Sequence, residues 1–326
     1  MGNCCTETRH QDGSLRLGEL NLDDERLRVL AKQDLKISYT KEQRDAHAPK
    51  DPAVILLKEI PQDLISNLKS PCYPLGPFNF DKDEPDYHDL PVLGPYQMEK
   101  GSVYLGQFKN GKRHGRGRQV WTDGSYYEGY WKDDMANGYG RLVHFNGDVY
   151  EGEWRDDHAH GKGKYYHPSG AVFEGDWKLD CQDGYGVETW PDNVKYMGDY
   201  KEGNKHGQGT FYWGSKDVYK GSFVQNFIQG YGEYYWHDGK VYKGEWIANR
   251  MHGKGEFFWP DSKYFKGNYI EDKKEGPGIF RWPDGRELRG EWKNGNPIGS
   301  ATMVNADGTT IVIDYQEIQK LDIAED

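Results

Sequence analysis

From Tyr104 onward a 23-residue pattern recurs nine times with no insertion or deletion, and this repetition limits the possible folds more than any other feature. The units begin at Tyr104, Tyr127, Tyr150, Phe173, Tyr196, Tyr219, Tyr242, Phe265 and Leu288. Two residues later each has a glycine, from Gly106 to Gly290. Two further on stands a ring: Phe108, Trp131, Trp154, Trp177, Tyr200, Phe223, Trp246, Tyr269 or Trp292. A second glycine column runs from Gly115 to Gly299, and a third, two residues beyond it, fails only at Ala301. A late aromatic column holds Trp121, Trp190, Trp213, Trp236, Trp259 and Trp282, with His144, His167 and Asn305 as exceptions. A repeat of this length is one supersecondary unit that buries its apolar side only against its neighbours.

In Tyr-x-Gly-x-Trp the marked residues alternate, so they face one side of a strand. A turn-rich stretch such as Lys109-Asn110-Gly111-Lys112 follows, and Gly-x-Gly leads into a second short strand. Asp123-Gly124 and Asn146-Gly147 turn the chain into the next unit. Each unit therefore reads as one β-hairpin. Glycine weakens a strand, so its regular recurrence points to large rings packed on bare backbone. A lone hairpin is marginal in water, so stability has to come from stacking. The expected fold is all-β: an elongated single-layer antiparallel β-hairpin meander, on the order of 85 Å long at ~4.8 Å per strand.

Composition supports an aromatic core. Leu, Ile, Val and Phe make up only 59 of 326 residues, and the net charge is −11, a pairing that usually signals disorder. The 11 Trp and 24 Tyr argue the opposite. The longest aliphatic run, Ala53 to Leu57, is far short of the roughly 20 apolar residues that span a bilayer. The N-terminus lacks the apolar stretch of a secretory signal. Cys4, Cys5, Cys72 and Cys181 form no CxxC pair, so neither a disulfide scaffold nor a zinc ribbon is expected, and a reducing compartment is. The acidic balance argues against nucleic acid as a partner. No zincin, phosphate-loop or dinucleotide motif occurs, so no catalytic residue and no cofactor is expected. His114, His160, His206 and His252 recur at every second unit. At ~19 Å spacing they cannot share a metal, and they read as turn or stacking residues.

Units such as Tyr150-Glu151-Gly152-Glu153-Trp154 followed by His160-Gly161-Lys162-Gly163 resemble the MORN repeat (membrane occupation and recognition nexus), over residues 104–310. The resemblance is to a ciliate- or alveolate-like member with an N-terminal lipidation motif. It implies a curved meander with an aromatic groove, and scaffolding at membranes, cell cortex or cilia. Trp131, Trp154, Trp177, Tyr200, Trp246 and Trp292 are the groove residues named for binding a protein partner, such as a helix, while also serving as core. Some members carry an enzymatic domain after the repeats; with 16 residues following Thr310, none is expected here.

The chain divides into a lipidation segment (1–10), a flexible arm with short helices, partly helical and partly disordered (11–93), the repeat rod (94–310) and a C-terminal cap (311–326). Met1-Gly2-Asn3-Cys4-Cys5-Thr6 fits myristoylation at Gly2, with Cys4 and Cys5 placed for palmitoylation. One myristoyl chain binds membranes only marginally, about 10⁴ M⁻¹, so a second signal is needed and the cysteines supply it. In the arm, Asn21 caps a helix with Leu27, Leu30 and Ala31 on one face. Pro61 opens another with Leu64, Ile65 and Leu68. Two readings stay open: a mobile arm, or Leu56, Leu57, Leu64 and Leu68 docked on the rod or a partner. Gly94 to Val103 supplies a first strand, Ile311 to Ile313 a closing one, and Tyr315, Ile318 and Leu321 a covering helix.

Lys109, Lys112, Arg113, Arg116 and Arg118 form the one basic cluster, a candidate contact for anionic lipid. The expected function is a non-enzymatic, membrane-tethered scaffold that organises protein partners at the cytoplasmic face of a membrane, the cell cortex or a cilium or basal body, with homodimerisation as one mode. The alternatives are a radial-spoke-like component of the axoneme and a regulatory or lipid-binding subunit for a phosphoinositide kinase.

Overall fold

The computed structural model describes residues 39–68, 71, 76–80, 87, 89–321 and 323. The chain forms two compact units, Met1–Gly184 and Tyr185–Asp326. The division falls inside the strand Cys181–Thr189.

In the first unit the strands Val92–Gln97, Val103–Lys109, Lys112–Val120, Tyr126–Lys132, Met135–Val143, Val149–Arg155, His158–Tyr166 and Val172–Lys178 each pair antiparallel with the next. Within each repeat the hairpin loop is two residues long, five residues join one repeat to the next, and in Asp133-Asp134 both carry positive φ, 49° and 74°. That is the primed turn whose twist matches the flanking strands. From Val103–Lys109 onward the register places glycine opposite glycine: Gly106, Gly117, Gly129, Gly140, Gly152, Gly163 and Gly175 form a continuous cross-strand row. The second unit repeats this from Gly198 to Gly290.

The row exists because the first ring of each unit lies flat on it. A Cβ on Gly117 would sit 2.1 Å from Tyr104 Oη, and one on Gly106 2.5 Å from the same atom. Tyr104 is fully buried and stands edge-on between Phe108 (5.1 Å) and Trp131 (5.4 Å). Its hydroxyl donates to the Gln107 carbonyl at 3.1 Å. Tyr127 repeats the arrangement with Trp131 and Trp154, and Tyr150 with Trp154 and Trp177. Edge-to-face rings on bare backbone are thus the core that the low aliphatic content requires.

The second glycine column is a bulge. Between Gly106 and Phe108 the register shifts, and Gly115 takes φ 74°. The residue opposite receives the freed amide: Gln107 Oε1 accepts from Arg116 N at 2.7 Å, and Asp199 Oδ2 from Gln208 N at 2.9 Å. Neighbouring units are then stapled through the hairpin tip. Asp157 N donates to the Ala136 carbonyl at 3.0 Å while Asp157 Oδ1 accepts from Ala136 N at 2.6 Å. Asp134, Asp180, Asn226, Asn249 and Asp272 do the same for the unit before each.

The arm is docked where it is described. The helix Gln62–Asn67 begins after Pro61 and buries Leu64. Leu64 joins Val103, Val120, Tyr126, Val143 and Val149, with Leu57, Ile60 and Leu68 packed around it. This is the sheet face opposite the ring stack. Leu56 is exposed and pairs through its backbone with Tyr96. Further on, Phe78 and Phe80 cluster with Tyr130. This part is therefore no loose tether, as a flexible arm over 11–93 implied: apolar side chains every third or fourth residue find a matching apolar row. The helix expected after Asn21 lies outside the described residues. In the second unit Thr310–Ile313 closes on Ala301–Val304, and the short helix Tyr315–Ile318 fully buries Ile318.

Candidate functional site

The six rings named for the groove are core. Trp131, Trp154, Trp177, Tyr200, Trp246 and Trp292 are only 1–6% exposed. The indole N–H groups of Trp131, Trp154, Trp177 and Trp246 donate to the carbonyls of Gly117, Gly140, Gly163 and Gly232 at 3.0–3.3 Å. Their edges are consumed by the glycine row, so they leave little surface for a partner helix, and the groove assignment needs correcting.

A continuous run of half-buried rings lies in the late column of the second unit. Rings run without a break from Trp190 to Phe211 (5.9 Å), Trp213 (4.5 Å), Tyr234 (5.1 Å), Trp236 (4.4 Å) and Phe257 (5.3 Å). Trp190, Phe211, Trp213, Tyr234 and Trp236 are half-buried. Among the described residues the indole N–H groups of Trp190, Trp213 and Trp236 make no hydrogen bond. In the first unit this column holds one half-buried ring, Trp121, and then His144 and His167, turned into local contacts with Asn146 and Ser169. The missed signal was present in sequence: Phe211, Tyr234, Phe257 and Phe280 stand two residues before each Trp, on the same face by strand alternation.

A cation anchors one end of the ladder. Lys205 Nζ lies 4.8 Å over Trp190 and 5.2 Å over Tyr196, and pairs with Glu188 at 3.0 Å. Tyr200 Oη donates to the same carboxylate at 2.8 Å. Burial first, and the Glu188 charge second, hold the Tyr200 phenol far above its ordinary value. The group is a neutral donor throughout the accessible pH range, so this corner is a fixed polar anchor and not an acid–base pair.

The basic cluster does not converge. Arg113 stacks over Trp131 at 4.2 Å and pairs with Asp134 at 3.3 Å. Arg118 pairs at 3.0 Å with Glu128, which is fully buried and also meets Arg141 at 3.3 Å. Lys109 and Lys112 are exposed. The strand pairs Glu128 opposite Arg118, which neutralises charge that linear proximity made look free. His114 does not ligate: its Nδ1 accepts from Asp133 N at 3.3 Å, and Tyr87 meets the ring edge-on at 5.6 Å. Among the described residues no group of His, Cys, Asp or Glu is placed to hold a metal. Cys181 is disulfide-bonded, an exception to the expectation of reduced thiols. Gly2, Cys4, Cys5 and Cys72 lie outside the described residues. Among those described, no helix is long and apolar enough to cross a membrane.

Nine segments match the MORN repeat family: 104–126, 127–149, 150–172, 173–195, 196–218, 219–241, 242–264, 265–285 and 289–310. They cover more than half of the chain, which therefore belongs to the MORN-repeat family. Its repeats make a scaffold or binding module. No curated protein matches the chain. Among solved structures it is similar to the wild-type TCP10 domain of Danio rerio CPAP, at 14% identity and TM-score 0.37, covering 60% of this chain and 92% of that one. The same domain in complex with a peptide of Danio rerio STIL gives 15%, 0.31, 67% and 96%. A selenomethionine-substituted virginiamycin B lyase from Staphylococcus aureus gives 11%, 0.16, 67% and 82%. Likeness this slight carries no function.

Proposed function

We propose that the chain is a non-enzymatic scaffold that binds a protein partner through the aromatic ladder of its second unit and is tethered to a membrane by lipid on Gly2, Cys4 and Cys5. The ladder carries the reading. Half-buried Tyr and Trp rings with unused indole donors offer large apolar area and directional hydrogen bonds at little entropic cost, the combination that favours binding hot spots. The repeat supplies the positioning, since Trp213 and Trp236 are each held between the ring before and the ring after. A lipid anchor at the far N-terminus raises the local concentration of whatever the ladder holds. The basic residues of the first repeat do not enter this reading, because Arg113 and Arg118 are already paired.

Two variants test it. Trp213→Ala with Trp236→Ala should abolish partner capture by the full chain while leaving its membrane fraction unchanged. Gly2→Ala should move the protein from the membrane to the soluble fraction. Retention of Gly2→Ala in a detergent-resistant cytoskeletal pellet contradicts the tether and favours an axonemal component.

A further inference from the structure

The sheet face opposite the rings carries an apolar row at fixed register. In the first unit it is Val103, Val120, Tyr126, Val143, Val149 and Tyr166, covered by Leu64 with Leu57, Ile60 and Leu68. The same repeat positions in the second unit are Tyr212, Val218, Tyr235, Val241, Phe258 and Tyr264, each directly opposite the next across the strands. Tyr212 is 37% exposed and the other five are half-buried. Lys195 precedes the row, and Arg281 and Glu287 follow it, so it is a bounded patch.

Charge differs between the two rows. Beside the covered row, Glu128 and Glu151 stand on the first strand of each hairpin and Arg118 and Arg141 on the second, and Arg141 Nη1 donates to the arm's Gly76 carbonyl at 2.9 Å. Beside the open row the signs are exchanged: Lys220, Lys243 and Lys266 face Glu233 and Glu256. Lys243–Glu233 (3.4 Å) and Lys266–Glu256 (2.8 Å) are paired, while Lys220 Nζ lies 5.6 Å over the Tyr235 ring. At the end of the row Phe258, Tyr264 and Ile279 floor an open hollow rimmed by Lys266, Arg281 and Arg289 against Glu256 and Glu287. Arg281 and Arg289 both pair with Glu287, so among these side chains Lys220, Lys243, Lys266, Arg281 and Arg289 stand against Glu233, Glu256 and Glu287 and leave a modest excess of positive charge.

We infer that this outer face of the second unit is a docking site for a short amphipathic helix of a partner protein, with Leu or Ile on one side and an acidic first turn. The chain's own segment, Ile60-Pro61-Gln62-Asp63-Leu64-Ile65-Ser66-Asn67-Leu68, shows the class of occupant on the matching row. Asp63 in the first turn of that helix is the charge the cationic edge of the open row calls for. The site is distinct from the aromatic ladder and lies on the other side of the sheet.

The probe is a fluorescein-labelled peptide of residues 53–68, titrated into the full-length chain by anisotropy. Saturable binding is expected, weakened at least about tenfold by Val241→Asp and by Phe258→Asp, each of which places an unpaired carboxylate under the helix. Two variants are used so that one misfolded protein, detected by circular dichroism, leaves the other informative. Trp213→Ala, on the ring face, should bind as wild type, and a peptide carrying Asp63→Lys should bind more weakly. Absence of saturable binding overturns the inference. So does binding unchanged in both Asp variants, which means the peptide has replaced the arm on the first unit, and so does binding lost in Trp213→Ala.

Discussion

Replacing Gly232 with alanine tests the packing argument at one atom. Its Cβ would lie 2.2 Å from Tyr219 Oη and 2.4 Å from Cζ, where relaxed contacts need about 3.5–4.0 Å. Neither side can retreat. Gly232 is paired on both flanks, with Gly221 and Gly244. Tyr219 is fully buried between Phe223 at 5.2 Å and Trp246 at 5.7 Å, and its hydroxyl donates to the Ser222 carbonyl at 3.1 Å. Overpacking costs about 1–3 kcal/mol and the displaced hydrogen bond about 1 kcal/mol more, so a loss near ~3 kcal/mol is expected. The last repeat shows how the clash is relieved: Leu288 replaces the ring and Ala301 the glycine, and both are buried. Tyr219→Leu combined with Gly232→Ala should therefore cost less than the sum of the single changes by at least ~1 kcal/mol. Chemical denaturation followed by tryptophan fluorescence measures all three variants. A near-neutral Gly232→Ala, or strict additivity, would refute the idea that the glycine row exists to seat the rings.

Three further outcomes follow from particular contacts. Asp157→Ala should cost about 1–2 kcal/mol, because the Ala136 amide loses its acceptor and alanine is strained at φ 67°, whereas Asp157→Asn should be nearly neutral, since Asn226 and Asn249 make the same staple; thermal denaturation separates the two. Leu64→Ala should cost about 2–4 kcal/mol of arm docking and open residues 48–68 to limited proteolysis without changing hydrogen exchange in the later repeats. Burial beside Tyr87, with Asp133 opposing and Lys109 and Lys132 adding, holds the His114 pKa below the ordinary 6.5. The unfolded chain then takes up the proton first, so this contribution to stability is complete above about pH 6.5 and is lost as pH falls through the lower folded value; His114→Gln should flatten that part of the melting profile relative to wild type.

The hairpin unit, its boundaries and the ring-on-glycine core were legible because period-two alternation and glycine spacing are local properties of the chain. The direction of exposure was not. Trp154 and Trp213 are both tryptophans on the ring face, and only the cross-strand register shows that the first is sealed by the glycine row and the second is not. Pairing also decided the basic cluster, since Glu128 lies ten residues beyond Arg118 yet directly opposite it. The tip-to-bulge staple needed two units at once: an Asp at 157 explains nothing until the Ala136 amide is seen beneath it. Docking of the arm was readable only as one of two alternatives, because Leu57, Leu64 and Leu68 suit a helix face whatever that face meets.

Hydroxyl-radical footprinting with mass spectrometry on the folded full-length chain puts the division of the tryptophans directly to the test. Trp190, Trp213 and Trp236 should oxidise readily while Trp131, Trp154, Trp177, Trp246 and Trp292 stay protected until denaturant is added. Equal labelling of Trp154 or Trp246 and Trp213 in the folded protein would contradict both the sealed ring core and the open ladder assigned to binding.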